Sequence, residues 1–269
     1  MTAEVDAVRA YYDRNTAVFE RLGEGGASIH RAVWLPGVAS RADAFRSVDR
    51  LVASGLSLPS GGARVLDLGC GLGESLRFLC SARPGLAGVG VTLSGVQAAS
   101  AAARSPALTF VQADIQRLPA LGVFDGAYAI ESFVHCPDTA GFFASAAAQL
   151  RPGGRLVVVD DFLARPARPG RERRWLDDVR DGWLGFGLCA VSHAVSVASA
   201  HGLSLVAEED LTPWLELRRP RDHAVSLLLS ITRPLRLRGA YLGSLAGGDA
   251  LQRALIAGVL GYRVLTFQR

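Results

Sequence analysis

ARVLDLGCGLGESLRFLC, residues 63–80, reads as a buried β-strand, a glycine turn and the start of a helix. The run ARVLDLG (63–69) has the length and apolar content of a strand, and GESLRFLC (73–80) opens a helix. Gly69, Gly71 and Gly73 let the backbone turn sharply and approach a ligand with no Cβ in the way. Their spacing is GxGxG, whereas dinucleotide binders use GxGxxG, and Asp67 stands just before them. A glycine-rich loop alone says little, because many α/β proteins use one to pack a helix on a strand. Followed by further strands, it marks a ligand site.

The chain downstream supplies those strands. GLAGVGVTL (85–93), LTFVQAD (108–114), FDGAYAIE (124–131) and GRLVVVDDF (154–162) alternate with helices at 94–104 and 139–150. LSLVAEEDL (203–211) and GYRVLTFQR (261–269) add two more strands. The pattern predicts an α/β, Rossmann-like fold: a seven-stranded, mostly parallel sheet with helices on both faces. Upstream, residues 4–22 read as an amphipathic helix, and 40–56 as a second one capped by Ser40 and stopped at Gly55. Between them GEGGASIHRAVWLPG (23–37) is irregular and concentrates His30, Arg31 and Trp34. The expected organisation is an N-terminal helical cap (1–60) and a ligand-binding domain (61–269). Helical lid insertions at about 163–200 and 212–260 would cover the carboxyl edge of the sheet, where open α/β sheets bind ligands.

Composition narrows the class. The 269 residues are 49% hydrophobic and 20% charged, which excludes wholesale disorder. No uninterrupted apolar stretch reaches the roughly 18 residues of a membrane span. The opening MTAEVDAVRAYYDRN lacks a signal-peptide core, so a soluble cytoplasmic protein is expected. All 29 basic residues are Arg, for a net charge of +4. They are spread along the chain, densest in RPARPGRERR (165–174), and form no stripe interleaved with aromatics; nucleic acid is not an expected partner. The Arg-rich run at 165–180 reads first as a solvated face and second as an anion clamp. Cys70, Cys80, Cys136 and Cys189 form no CxxC pair and match no His spacing, so no metal site is expected. Oligomeric state is open, a homo-oligomer included.

From about residue 63 to 162 the chain resembles class I S-adenosylmethionine-dependent methyltransferases. VLDLGCGLG (65–73) is similar to their first motif, QAD (112–114) to the motif that contacts adenine, and LRPGGRLVVVDDF (150–162) to the motif around the fifth strand. The resemblance implies S-adenosyl-L-methionine as cofactor. Gly69, Gly71 and Gly73 would pass its methionine part, with Asp67 near the ammonium, Asp114 on the adenine amino group and Ile115 against the ring. A nicotinamide site would want an acid at the end of the second strand, where this chain has Thr92. GVTLSGVQ (90–97) resembles instead the subset that alkylates carbon, such as sterol and prenyl diphosphate C-methyltransferases and cyclopropane fatty acid synthases. Thr92, Ser94 and Gln97 would then hold the ribose region, Ser94 also serving as a helix cap.

YAIESFVHCPD (128–138) is similar to the sterol C-methyltransferase signature. It implies Glu131 beside the transferable methyl group, where a carboxylate stabilises a carbocation and removes a proton. The alternative for Glu131 is a turn cap or an ion pair with an Arg. His135 is a proton relay or a hydrogen-bonded scaffold group. Aromatic walls suit cation chemistry, and Tyr11, Tyr12, Trp34, Phe133, Trp175, Trp183 and Phe186 are candidates or ordinary core. By analogy with prenyl diphosphate C-methyltransferases, Arg31 would hold a diphosphate with Tyr12 and His30, and Mg²⁺ would accompany only such a substrate. The expected activity is C-methylation of an alkene in an isoprenoid-like small molecule, a prenyl diphosphate among them. The alternatives are an O- or N-methyltransferase of a small natural product, with His135, His30 or Glu131 as base, a catalytically silent binding protein, and a nucleotide-dependent oxidoreductase.

Overall fold

The computed structural model describes residues 2–22, 29–232 and 240–269, with side chains omitted at 18–22, 240 and 241. Residues 23–28 of the expected irregular loop lie outside the described residues.

The glycine turn sits at the centre of the sheet. Strand β1 (Ala63–Leu68) ends at the turn and α3 (Glu74–Ala82) begins after it. Then follow β2 (Leu86–Thr92), α4 (Gly95–Arg104), β3 (Thr109–Gln112), β4 (Phe124–Ile130), α5 (Thr139–Gln149) and β5 (Leu150–Leu163). After α6 (Arg171–Gly182) and α7 (Val191–Ala200) come β6 (Ser204–Asp210), α8 (Pro220–Thr232), α9 (Ala240–Ile256) and β7 (Leu260–Gln268). The spatial order is β3-β2-β1-β4-β5-β7-β6. β1 to β5 pair in parallel, and β7 runs antiparallel to both β5 and β6. The order reverses between β1 and β4, and the crevice that forms at such a switch point is the ligand site of open α/β sheets.

Alternation along the strands splits the core into two layers. Leu66, Leu68, Phe124 and Val158 face α5 and α7, with Phe133, Phe142, Phe143 and Phe162 in the same cluster. Val65, Tyr128, Val157 and Tyr262 face the other way, onto Val48, Val52 and Leu56 of α2 (Arg41–Leu56) and Leu251 and Leu255 of α9. Ser40 caps α2 by accepting from the Asp43 amide at 3.0 Å, and the helix runs one residue past Gly55 to a left-handed Ser57. Because α2 buries its apolar face on the sheet, it belongs to a sheet layer. The element of the 1–60 segment that lies over the ligand edge is α1 (Ala3–Leu22), packed against α4. Helices α6 and α9 meet at bare glycine: a Cβ on Gly182 would lie 2.1 Å from the Gly243 carbonyl oxygen, and one on Gly247 2.6 Å from the Trp183 amide. No described helix is long and apolar enough to cross a membrane.

Candidate active site

A cavity of about 470 Å³ opens at the carboxyl ends of β1 and β4, within the usual range for a small-molecule site, roughly 300–1,000 Å³. Its inner half is built by the glycine turn. Gly69 has φ +95°, and a Cβ there would stand 2.3 Å from that of Ser132, so only bare backbone fits. Gly73 (φ +78°) starts α3 behind the cavity wall, against the Phe110 ring. Asp67 is buried and accepts from the Tyr128 hydroxyl at 2.8 Å; burial pushes its pKa up to about 7, the hydrogen bond opposing.

The end of β2 supplies a compact polar knot. Thr92 donates its hydroxyl to Gln97 Oε1 at 2.8 Å, and Ser94 caps α4 by accepting from the Gln97 amide at 3.1 Å. Ser94 also donates to Asp13, which ties α1 over the site, but it does not itself line the cavity. Asp114 accepts from the Gln116 amide and side chain at 2.9 and 3.0 Å, and Ile115 is buried beside it. The Gln97 side-chain nitrogen is buried against this cavity with no hydrogen-bond partner. A buried donor left unpaired is costly, and a ribose oxygen would satisfy it. With a Cβ-free cradle and two flanking carboxylates, these residues fit S-adenosylmethionine.

The outer half is organised by Arg31. Glu131 follows β4 in a left-handed conformation (φ +48°), uncommon for a residue with a side chain and found where surrounding contacts enforce it. Its Oε1 accepts from the Arg31 amide at 2.8 Å, Arg31 Nε at 3.1 Å and the Tyr262 hydroxyl at 2.8 Å. The same guanidinium makes two parallel bonds to Asp161, at 3.1 and 2.7 Å, and lies 4.1 Å from the Tyr262 ring centroid. Burial alone would raise the Glu131 pKa; the charges of Arg31 and His30, with the amide and hydroxyl donors, outweigh it and hold the carboxylate ionised. Asp160, fully buried, is shifted well up by burial and by Asp161 next to it.

The pKa values of two histidines are shifted in opposite directions. His135 Nδ1 is 2.9 Å from the Leu184 carbonyl, which can only accept, so this nitrogen carries the proton. Its Nε2 is then a lone pair that accepts from the Tyr12 hydroxyl at 2.9 Å. Burial lowers the His135 pKa, against the Leu184 bond and the Glu131 charge, and keeps the ring neutral. His30 Nδ1 lies 3.1 Å from the Arg31 carbonyl while Nε2 stands 3.7 Å from Asp49. Burial favours the neutral ring there too, but Asp49, Glu131 and the carbonyl outweigh it and raise the pKa.

Of the expected site residues, Asp67, Gly69, Gly71, Thr92, Gln97, Asp114, Ile115, Glu131, His135, Tyr12, His30, Arg31 and Trp183 all face this cavity. Phe133 and Trp34 do not. Phe133 is fully buried among Phe142, Phe143 and Phe162, and Trp34 packs beside Ala44 and Phe45 with Arg41 over its ring. Arg31, expected on a diphosphate, is engaged by two carboxylates. The Arg-rich α6 contributes no arginine to the wall; Arg41, Arg219 and Arg221 do. Asp160, Asp161 and Tyr262 carried no expected role. The paired acids after the apolar run LVVV within β5 were the available signal, since buried carboxylates need partners. Among the described residues no group of three or more His, Cys, Asp or Glu is placed to hold a metal ion.

A switch-point cavity with this glycine turn and acid set is the ligand site of an open α/β sheet, and comparison with known proteins gives its class. Residues 66–158 match the family described as "Methyltransferase domain". The chain belongs to the class I S-adenosylmethionine-dependent methyltransferases. It is 34% identical over 215 residues to the 27-O-demethylrifamycin SV methyltransferase of Amycolatopsis mediterranei, covering 76% of this chain and 75% of that one. To the methyltransferase GfsG of Streptomyces halstedii it is 32% identical over 203 residues, 71% and 69% of the two chains. In fold it resembles a geranyl diphosphate methyltransferase solved with GPP and sinefungin, at TM-score 0.76, 17% identity and 99% coverage of both chains.

Proposed function

We propose that the protein transfers the methyl group of S-adenosylmethionine to a hydroxyl oxygen of a small natural product, with His135 and Tyr12 moving the proton. The observation that carries this reading is the fixed tautomer of His135: Nδ1–H on the Leu184 carbonyl, Nε2 open to accept from Tyr12 at the cavity wall. The cofactor supplies an electrophilic methyl group on sulfur. An acceptor hydroxyl hydrogen-bonded to the Tyr12 oxygen passes its proton there as the Tyr12 proton moves to Nε2. Burial opposes the resulting imidazolium, and the Leu184 bond and the Glu131 charge partly offset that cost. A neutral imidazole is ready to take a proton at neutral pH, and such a base contributes typically 10²–10⁴-fold. Helix α1, tied down through Ser94–Asp13 and Tyr12–His135, excludes water from the transfer.

Carbon methylation of an isoprenoid alkene is the second reading. The observation in its favour is Glu131, held ionised in a buried wall where a carbocation would want a negative group. Against it, three donors occupy Glu131 Oε1, and Arg31, the residue expected on a diphosphate, is engaged by two carboxylates. The relatives named for O-methylation favour the first reading, while the likeness to a geranyl diphosphate methyltransferase is one of fold. Incubation with ¹³C-methyl cofactor separates the two, using 27-O-demethylrifamycin SV and geranyl diphosphate as acceptors. A methoxy resonance from the hydroxylated acceptor, lost in His135→Ala while S-adenosylhomocysteine still binds, is expected. Label appearing on carbon of geranyl diphosphate alone would overturn the proposal.

A further inference from the structure

The turn that carries His135 is held from two sides. Main-chain pairing between β4 and β5 ends where the Glu131 amide donates to the Val159 carbonyl at 2.8 Å. The chain then turns, with a short 3-10 segment at Phe133–His135, on its way to α5. One residue beyond Val159, Asp160 reaches across from β5. Its Oδ2 accepts from the Val134 amide at 2.9 Å, and its Oδ1 accepts from the Asp161 amide at 2.8 Å. On the other side the Gly187 amide donates to the Val134 carbonyl at 2.7 Å, and the Leu184 carbonyl accepts from His135 Nδ1 at 2.9 Å. Segment 184–187 is shaped for this approach. Leu184 is left-handed (φ +57°), and a Cβ on Gly187 would stand 2.5 Å from the Cys136 carbonyl oxygen.

Asp160 is fully buried, and a carboxyl group is costly to bury. Both of its oxygens accept from backbone amides, one from its own neighbour and the other from the residue immediately before His135. An apolar side chain would fill the same space at less cost but would leave the buried Val134 amide without this acceptor. The next residue along β5 tethers the other side of the site. Asp161 grips Arg31, and Arg31 in turn holds Glu131 at the head of the turn.

We infer that Asp160 is a positioning residue for proton transfer. By holding the Val134 amide it fixes the turn so that His135 keeps Nδ1–H on Leu184 and Nε2 toward Tyr12. The inference rests on the reading of His135 as the proton acceptor. Three separately held pieces have to meet within hydrogen-bond distance for that role: Tyr12 from α1, Leu184 from the segment after α6, and the ring from the turn. A misplacement of about 1 Å at such a group can cost about 10²-fold in rate. Of the charged and titratable groups around the ring, Tyr12 bonds it from α1, Glu131 acts on it from the head of the turn, and Asp160 reaches the turn from β5.

The test is NMR of the full chain labelled with ¹⁵N-histidine, which reads ring tautomer and titration without turnover; the His135 signals are those lost in His135→Ala. The wild type is expected to show the Nδ1–H form with a pKa below the ordinary imidazole value. Asp160→Leu is similar in shape and removes both acceptors. In it the His135 signals should move to the tautomer mixture of a free imidazole. The ring pKa should rise toward its ordinary value, because burial, the largest influence on it, is relaxed. S-adenosylhomocysteine binding reports that the variant is folded. Asp160→Asn, with one oxygen for two amides, should shift the same signals less. A folded Asp160→Leu with wild-type His135 signals overturns the inference, whatever its melting temperature. Should Asp160→Leu not fold, Asp160→Asn decides, and His135 signals equal to the wild type then overturn it. Failure of His135 as the base would show separately, as methyl transfer undiminished in His135→Ala.

Discussion

Replacing Arg31 with Met should destabilise the protein more than any other single change of a charged residue at the site. Met preserves most of the aliphatic bulk over the Tyr262 ring and removes the guanidinium. That leaves Glu131 (18% exposed) and Asp161 (2% exposed) without their cation. Breaking a buried ion pair from one side costs about 3–5 kcal/mol; with the Arg31 side chain 24% exposed, the lower end applies, about 3 kcal/mol. For a chain of this size each kcal/mol is worth about 2–4 °C, so a melting temperature about 6–12 °C lower is expected. The pH dependence carries the sign. In the wild type the Glu131 pKa is depressed, so its stabilising contribution is present above the unfolded value and lost as pH falls through the folded one. In Arg31→Met burial dominates at both carboxylates and their pKa values rise. The deficit is then largest near neutral pH and shrinks as pH falls through these raised values and both groups protonate. Urea unfolding at several pH values measures this directly. Adding Glu131→Gln and Asp161→Asn to Arg31→Met should recover most of the loss at neutral pH. A loss under about 0.5 kcal/mol, or a gap that does not narrow on acidification, would refute the claim that Arg31 compensates these acids.

Gly69→Ala should lower stability by about 3 kcal/mol through its left-handed φ and the clash with Ser132, and weaken S-adenosylhomocysteine binding in calorimetry; a variant as stable as wild type would show that the turn can relax. Asp67, with a folded pKa raised to about 7, keeps a proton in the folded protein that the unfolded chain has lost, so it costs stability as pH rises through that window. Asp67→Asn should therefore gain on the wild type as pH rises from about 4 to 7 in thermal melts, and a constant difference across that window would rule this out. Binding of the ammonium-bearing S-adenosylhomocysteine should release protons near pH 6, seen as a buffer-dependent heat. Gly247→Ala should separate α6 from α9 and cost about 1–3 kcal/mol by overpacking, whereas Gly258→Ala, with open space around its Cβ, carries only the strain of its positive φ.

What the sequence made legible divides along the range of the interactions involved. β1, β2, β4 and β5 are buried in parallel pairing, so each shows as an apolar run with turn residues at its ends. The caps at Ser40 and Ser94 are local, three residues from donor to acceptor, and read directly. Phe133 misleads because it sits two residues from Glu131 in a turn, where neighbours in sequence point to different layers: Glu131 to the cavity, Phe133 to the phenylalanine cluster. The partners of Arg31 lie 100 and 130 residues away, and nothing near Arg31 in the chain specifies them. They were recoverable only from the other side. Two adjacent acids inside an apolar strand have to meet a cation, a backbone donor or a proton. Here Asp161 meets the guanidinium, while Asp160 accepts two backbone amides, those of Val134 and Asp161, and is driven toward its neutral form. That division leaves Arg31 and the Glu131–Asp161 pair with a net charge of −1 beside a neutral His135. A proton arriving on Nε2 there meets the Glu131 charge, which partly offsets the cost of burying an imidazolium.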